Sequence, residues 1–209
     1  AQLISQVGKF QKEHGRQLVG GDEVIAGNLS KKTTVMVWRG PELAHEAIKD
    51  GYDVVMSPGA YCYFDMYQDA PGTQPVANGG FIPTEKVYSY VPGSDLPEAE
   101  RNMITGVQAN LWTEHIPTPE YAEYMLYPRA LALAEIGWNG TKTKNYPEFK
   151  TRALAQVKHL KAEGVSPNEL KKEIGEHKEK MRPVKHKTVG AKVTYNQAYN
   201  RYYPAAGEK

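Results

Sequence analysis

Residues 34–57 read TVMVWRGPELAHEAIKDGYDVVMS, and this segment decides the fold. Thr34-Val-Met-Val-Trp38 is a short apolar run of the kind that forms a buried strand. Pro41 to Lys49 reads as a helix with proline in its first turn, and Gly51 ends it. Asp53-Val-Val-Met-Ser57 is another apolar strand. Strand, helix and strand in 24 residues is the unit from which parallel sheets are built.

The same alternation extends outward in both directions. Leu3, Ile4, Val7 and Phe10 have helical spacing across residues 2–14, and Gly15 would end that helix. Gln17-Leu-Val-Gly20 is a strand candidate, as is Gly106-Val-Gln-Ala-Asn-Leu-Trp112 further on. Between them, residues 66–105 are rich in Pro and Gly, with one short helix expected around Thr84 to Tyr90. Pro119 to Ile136 reads as one long helix, Tyr146 to Ala162 as a second and Pro167 to Lys180 as a third. The expectation is an α/β fold with about four parallel strands covered by helices. After Pro183 the pattern changes to several tyrosines and a β-like segment, Ala191-Lys-Val-Thr-Tyr195.

Composition excludes several classes. The 209 residues are 40% hydrophobic and 24% charged, an ordinary globular balance. The net charge of +2, from 26 basic and 24 acidic residues, gives no footprint for nucleic acid or an anionic membrane. The basic run from Lys171 to Lys187 is interleaved with Glu173, Glu176 and Glu179, which reads as a solvated face. Cys62 is the one cysteine, so neither an internal disulfide nor a cysteine zinc site can form. No histidines and carboxylates share a metal-ligand spacing, and no cofactor is expected. The start at Ala1-Gln2, in mid-pattern, suggests a cut point within a longer protein.

Each strand candidate ends in residues that a core does not need. These are Asp22-Glu23, Trp38-Arg39, Tyr61 to Asp65, and Asn110 to Glu114. In parallel α/β folds the carboxyl ends of strands converge on the active site. Indole faces cover the apolar side of a sugar ring, and carboxylates accept its hydroxyls, so the combination suits a carbohydrate. Bland roles are expected elsewhere. Trp138 should pack in the core, Arg129 and Glu135 should form ion pairs or caps, Arg39 should be a buried ion-pair partner, and Cys62 should be a buried, unreactive thiol.

Four motifs then occur in order: VMVWRG (35–40), VVMSP with YCYFD (54–58, 61–65), GVQANLWTE (106–114) and YPRALALAE with Trp138 (127–135). Together they resemble the second half of the catalytic barrel of the β-N-acetylhexosaminidases, glycoside hydrolase family 20. The likeness implies half of a (β/α)8 TIM barrel over residues 1–165, a helical linker at 166–182, and from 183 the start of a β-sandwich-like module. The last rests on GAKVTYN (190–196) and RYYP (201–204), which look like the lead-in to a galactose-binding-like domain. The implied activity is retaining exo-hydrolysis of terminal GlcNAc or GalNAc, in which the substrate's acetamido oxygen serves as nucleophile. By position, Tyr63 matches the tyrosine that aims the acetamido group. Asp65 and Glu114 match carboxylates that hold sugar hydroxyls, and Trp38 and Trp112 match pocket walls. The family also implies a periplasmic or secreted location.

One departure matters. The family's acid/base pair lies in a His-x-Gly-Gly-Asp-Glu motif, and this chain contains Gly20-Gly-Asp-Glu23. Yet Leu18 stands where the histidine belongs, and the pair follows a helix and precedes Trp38-Arg39-Gly40 by only a short loop. That is the spacing of a later Gly-Trp-Asp-Glu site, with Gly21 in place of tryptophan. The expectation is that Asp22-Glu23 is not the acid/base pair, that the true pair lies upstream, and that the fragment alone is inactive. Two rivals stand beside this reading. One is a barrel that binds carbohydrate without catalysis. The other is a different retaining glycosidase whose pair is Asp65 and Glu114, about 5–10 Å apart. Four strands are half of eight, so exposed sheet edges make a dimer the expected state of the isolated half barrel.

Overall fold

The computed structural model describes residues 2–27, 29–140 and 144–170. The first helix, α1 (Gln2–Glu13), leads into β1 (Val19–Gly21) and a 3-10 turn at Asp22–Ala26. Strand β2 (Thr34–Val37), helix α2 (Pro41–Lys49) and strand β3 (Asp53–Met56) follow. After them come the one-turn helix α3 (Gly59–Cys62), a small pair β4 (Met66–Tyr67) and β5 (Asn78–Phe81), helices α4 (Thr84–Ser89) and α5 (Glu98–Arg101), and strand β6 (Ile104–Val107). Helices α6 (Pro119–Leu126), α7 (Arg129–Asn139) and α8 (Tyr146–Ala162) complete the described residues.

The main sheet has the order β1-β2-β3-β6, all parallel, with Thr34 opposite Asp53 and Val37 opposite Met56. This is the arrangement of consecutive strands in a (β/α) barrel, stopped after four. Burial alternates with period two. Val35, Val37, Val54 and Met56 point into the layer covered by helices, where Ala44, Ala47 and Ile48 of α2, Val87 of α4 and Ala132, Leu133 and Ile136 of α7 meet them. Each such aliphatic side chain contributes about 1.5–3 kcal/mol when buried. Met36 and Val55 alternate to the other face and stay partly exposed, the face that fills the interior of a closed barrel. β1 and β6 are the two edges of this sheet.

Several sequence expectations are corrected. The helix expected from Pro119 to Ile136 is two helices, because Pro128 carries no amide donor and Tyr127 before it is extended at φ −100° and ψ 136°. The strand expected over 106–112 runs only from Ile104 to Val107; beyond it Asn110 alone pairs, with Tyr63. Residues 66–105 hold the expected α4 but also β4, β5 and α5. Residues 167–170 are not helical, and the remainder of that helix and the β-like tail lie outside the described residues.

Trp138 is 91% exposed rather than packed in the core. The inward face of α7 carries Arg129, Ala132, Leu133 and Ile136, and two residues past Ile136 turns Trp138 to the opposite side. Glu135 does pair as expected, accepting from Arg152 at 2.6 and 2.8 Å and from Tyr88 at 2.8 Å. Arg129 does not: its guanidinium bonds main-chain carbonyls instead. Cys62 is fully buried, and desolvation pushes its thiol up to about 12, which leaves it protonated and unreactive.

Candidate functional site

The carboxyl ends of the four strands open on one side of the sheet, as their parallel order requires. Beyond β3 the chain makes the single turn α3 and returns alongside the segment after β6. There Asn110 N donates to Cys62 O at 2.8 Å and Phe64 N to Asn110 O at 2.7 Å. These bonds set Tyr63 and Asp65 beside Trp112 and Glu114, although the two pairs are some fifty residues apart in sequence. A polar chain supports the join: Gln108 Nε2 donates to Asn110 Oδ1 at 2.8 Å, and Asn110 Nδ2 to the buried Ser57 Oγ at 2.9 Å.

Tyr63, Asp65, Met66, Asn78, Gly79, Trp112 and Glu114 line one hollow of about 540 Å³. Asp65 is nearly buried. Its Oδ2 accepts from Asn78 Nδ2 at 2.7 Å, while Oδ1 is buried without a partner among the described residues. A carboxylate oxygen withdrawn from water and left unpaired is costly, so Asp65 stands out as a polar group held in the wall of the hollow at a cost to stability. Burial raises the Tyr63 phenol above its ordinary range, and the negative charge of Asp65 adds to this, while a hydrogen bond with Trp112 works against it. Tyr63 therefore stays protonated near neutral pH and can donate. Trp112 is half exposed and Glu114 exposed, which leaves an indole face and a carboxylate open to a ligand.

Trp38 is not in the lining of this hollow. It stands beside it, its ring centroid 6.3 Å from that of Tyr63. Asn78 is the residue that sequence reasoning missed. It enters through β5, whose short parallel pairing with β4 is hidden in a Pro/Gly-rich stretch. Gly80 enables that pairing: at φ +104°, any Cβ there would lie 2.6 Å from Met66 Sδ.

Asp22 and Glu23 do other work. Asp22 is buried, and its Oδ2 accepts from the Trp38 and Arg39 amides at 3.0 Å each, while Oδ1 accepts from Arg39 Nε at 2.5 Å. The ion pair expected of Arg39 is present, but the buried partner is Asp22, and the Arg39 side chain is 45% exposed. Glu23 Oε1 accepts from Trp38 Nε1 at 3.2 Å. Gly21 makes this possible, since a Cβ there would come within 2.5 Å of the folded-back Glu23 carboxylate.

A smaller cleft of about 270 Å³ lies toward the amino ends of the strands, between α1 and the segments around Leu18 and Thr33, with Lys9, Lys12, Arg16 and Lys32 among its lining. It contains none of the candidate sugar-binding residues. His45 pairs with Glu100 at 2.7 Å. The described residues contain no cluster of three metal-ligating side chains and no helix long and apolar enough to cross a membrane.

Parallel strands wrapped by helices, with aromatics and carboxylates gathered where the strands end, define the class: part of a (β/α)8 barrel domain with its pocket at the usual mouth. The family model described as glycosyl hydrolase family 20, catalytic domain, matches residues 1–141, and the chain belongs to that family. It is 39% identical to a β-hexosaminidase of Porphyromonas gingivalis over 166 residues, covering 78% of this chain and 21% of that protein. It is 35% identical to a β-hexosaminidase of Vibrio furnissii, covering 65% and 23%. Among solved structures it is similar to the family 20 exo-β-N-acetylglucosaminidase of Vibrio harveyi in complex with N-acetylglucosamine, with TM-score 0.71 and 29% identity over 80% of this chain and 27% of that one. The N-acetyl-β-hexosaminidase of Streptomyces plicatus gives a TM-score of 0.70 and 26% identity over 79% and 34%. The chain thus spans about a fifth of the length of the two sequence relatives.

Proposed function

We propose that this chain forms the sugar-holding part of a retaining exo-β-N-acetylhexosaminidase that removes terminal GlcNAc or GalNAc from glycans. The observation that carries the reading is the single hollow shared by Tyr63, Asp65, Trp112 and Glu114. In this reading Tyr63 donates to the acetamido oxygen of the substrate and holds it against the anomeric carbon, a positioning effect worth several kcal/mol. Asp65 and Glu114 accept ring hydroxyls, and Trp112 covers the ring face. Trp38, whose ring centroid lies 6.3 Å from that of Tyr63, forms a further aromatic wall beside the hollow. In this reading the proton-transfer pair lies upstream of this chain, and the bonds that tie Asp22 to the Trp38–Arg39 corner support that assignment. Membership in family 20 leaves the rival that makes Asp65 and Glu114 the catalytic pair of another family without support. The reading carries with it a periplasmic or secreted location, which cell fractionation would check.

Calorimetry with an N-acetylglucosamine thiazoline, paired with an assay on an aryl N-acetylglucosaminide, tests the proposal. The chain should bind the thiazoline and release no aryl alcohol. Turnover abolished by Glu23→Gln would overturn the assignment.

The edges make a second prediction. Val19 on β1 is 59% exposed, and Leu3 and Phe10 of α1 are 70% and 61% exposed, so an open strand lies near unpartnered apolar surface. The isolated chain should therefore sediment as a dimer at tens of micromolar; a monomer at that concentration would contradict this.

A further inference from the structure

We propose that Arg129 is a positioning residue of the sugar pocket, acting on Asp65 through the main chain on both sides of it. The proposal rests on the pocket reading above. Arg129 opens α7 and is completely buried. Its Nη2 donates to Phe64 O at 2.5 Å and its Nη1 to Met66 O at 3.0 Å, and these carbonyls belong to the two residues that flank Asp65. The remaining donors anchor the clamp: Nη1 reaches Ile82 O at 3.1 Å, and Nε and Nη2 reach Met125 O at 2.9 and 2.6 Å. The guanidinium carbon lies 4.9 Å from the centre of the Phe64 ring.

A staple for four carbonyls does not require a buried cation, whose desolvation is costly. Burial lowers the Arg129 pKa to about 9, and the largest force acting against that is the negative charge of Asp65. The guanidinium has no ion-pair partner among the described residues. The planar fork of arginine explains why this residue type is used. Its five donors leave one centre at fixed angles, so the Phe64 and Met66 carbonyls are held relative to each other as well as to α7. Asp65 sits between those carbonyls, so they fix the backbone from which its carboxylate projects toward Asn78. A lysine would keep the charge but not the fork.

The test is a double-mutant cycle in the full chain, read by calorimetry with N-acetylglucosamine and by amide hydrogen exchange. Arg129→Lys should weaken binding about tenfold or more, and Asp65→Asn should lose most of its own effect in the Arg129→Lys background. Exchange at the Phe64 and Met66 amides should rise at least about tenfold, with α8 unchanged. Arg152→Met, which breaks the Glu135 pair on the same helix, should lower the melting temperature and leave sugar affinity unaltered. Equal Asp65→Asn effects in both backgrounds, or unchanged exchange at Phe64 and Met66, would overturn the proposal. If Arg129→Lys does not fold, Phe64→Leu removes the ring beneath the guanidinium and carries the same cycle. Absence of sugar binding in the unsubstituted chain would overturn the pocket reading instead, and the exchange comparison would then decide the role of Arg129.

Discussion

Asp22→Ala should destabilise the half barrel by roughly 3 kcal/mol, because two main-chain amides and one guanidinium lose their shared acceptor. For a domain of this size that is a fall in melting temperature of about 6–12 °C. The reason is local. Trp38 and Arg39 leave β2 at a sharp corner, their amides point the same way, and Asp22 is the buried group that meets both. Glu23 is a useful contrast. It is exposed and makes one bond among the described residues, to the Trp38 indole, so Glu23→Gln should leave the melting temperature within about 1 °C. In an active enzyme containing this half barrel, Glu23→Gln should lower turnover less than tenfold, whereas loss of a general acid costs about a hundredfold to ten-thousandfold. Thermal melting of the two variants, with steady-state kinetics in the active enzyme, checks both statements. A stable Asp22→Ala protein would remove the structural account of the Gly-Gly-Asp-Glu segment.

Asp65→Asn should weaken N-acetylglucosamine binding about tenfold to a hundredfold, the range for a hydrogen bond to a charged acceptor withdrawn from water. It should also lower stability, because the negative charge of Asp65 is the largest influence offsetting the burial of the Arg129 guanidinium, although the bond from Asn78 can be kept. Asn78 can still donate to the retained carbonyl oxygen if the new amide nitrogen takes the place of the unpartnered Oδ1. The substitution replaces a carboxylate in the wall of the hollow with a neutral amide. Calorimetry of the variant against the unsubstituted chain measures the ratio. An unchanged affinity would mean that the sugar does not reach Asp65.

Much of this arrangement could be read from residue order, and the exceptions have physical causes. The βαβ unit at 34–57 was legible because its strands are short and apolar, and proline and glycine mark the ends of α2. The gathering of Tyr63, Asp65, Trp112 and Glu114 followed from parallel strands sharing one mouth, without knowledge of any contact. Trp38 stands at the same mouth, with its indole bonded to Glu23 and its ring beside that of Tyr63, contacts that residue order does not reveal. Asn78 was not legible, since a four-residue strand written Asn-Gly-Gly-Phe has almost no β propensity of its own and exists through its pairing with Met66 and Tyr67. The break between α6 and α7 is announced by Pro128, although helical apolar spacing continues past it. An ion pair or cap is what the sequence suggests for Arg129, because nothing in residue order shows that the carbonyls of Phe64, Met66, Ile82 and Met125 converge on it.

The most direct test is an NMR titration of the chain with N-acetylglucosamine, followed through backbone amides and the Trp indole protons. The expected result is a set of saturable shifts at Tyr63, Asp65, Asn78, Trp112 and Glu114, with the Trp112 indole moving and Trp138 still. Shifts confined to the cationic cleft around Lys12, Arg16 and Lys32, or no shifts at millimolar sugar, would contradict a sugar site at the carboxyl ends of the strands.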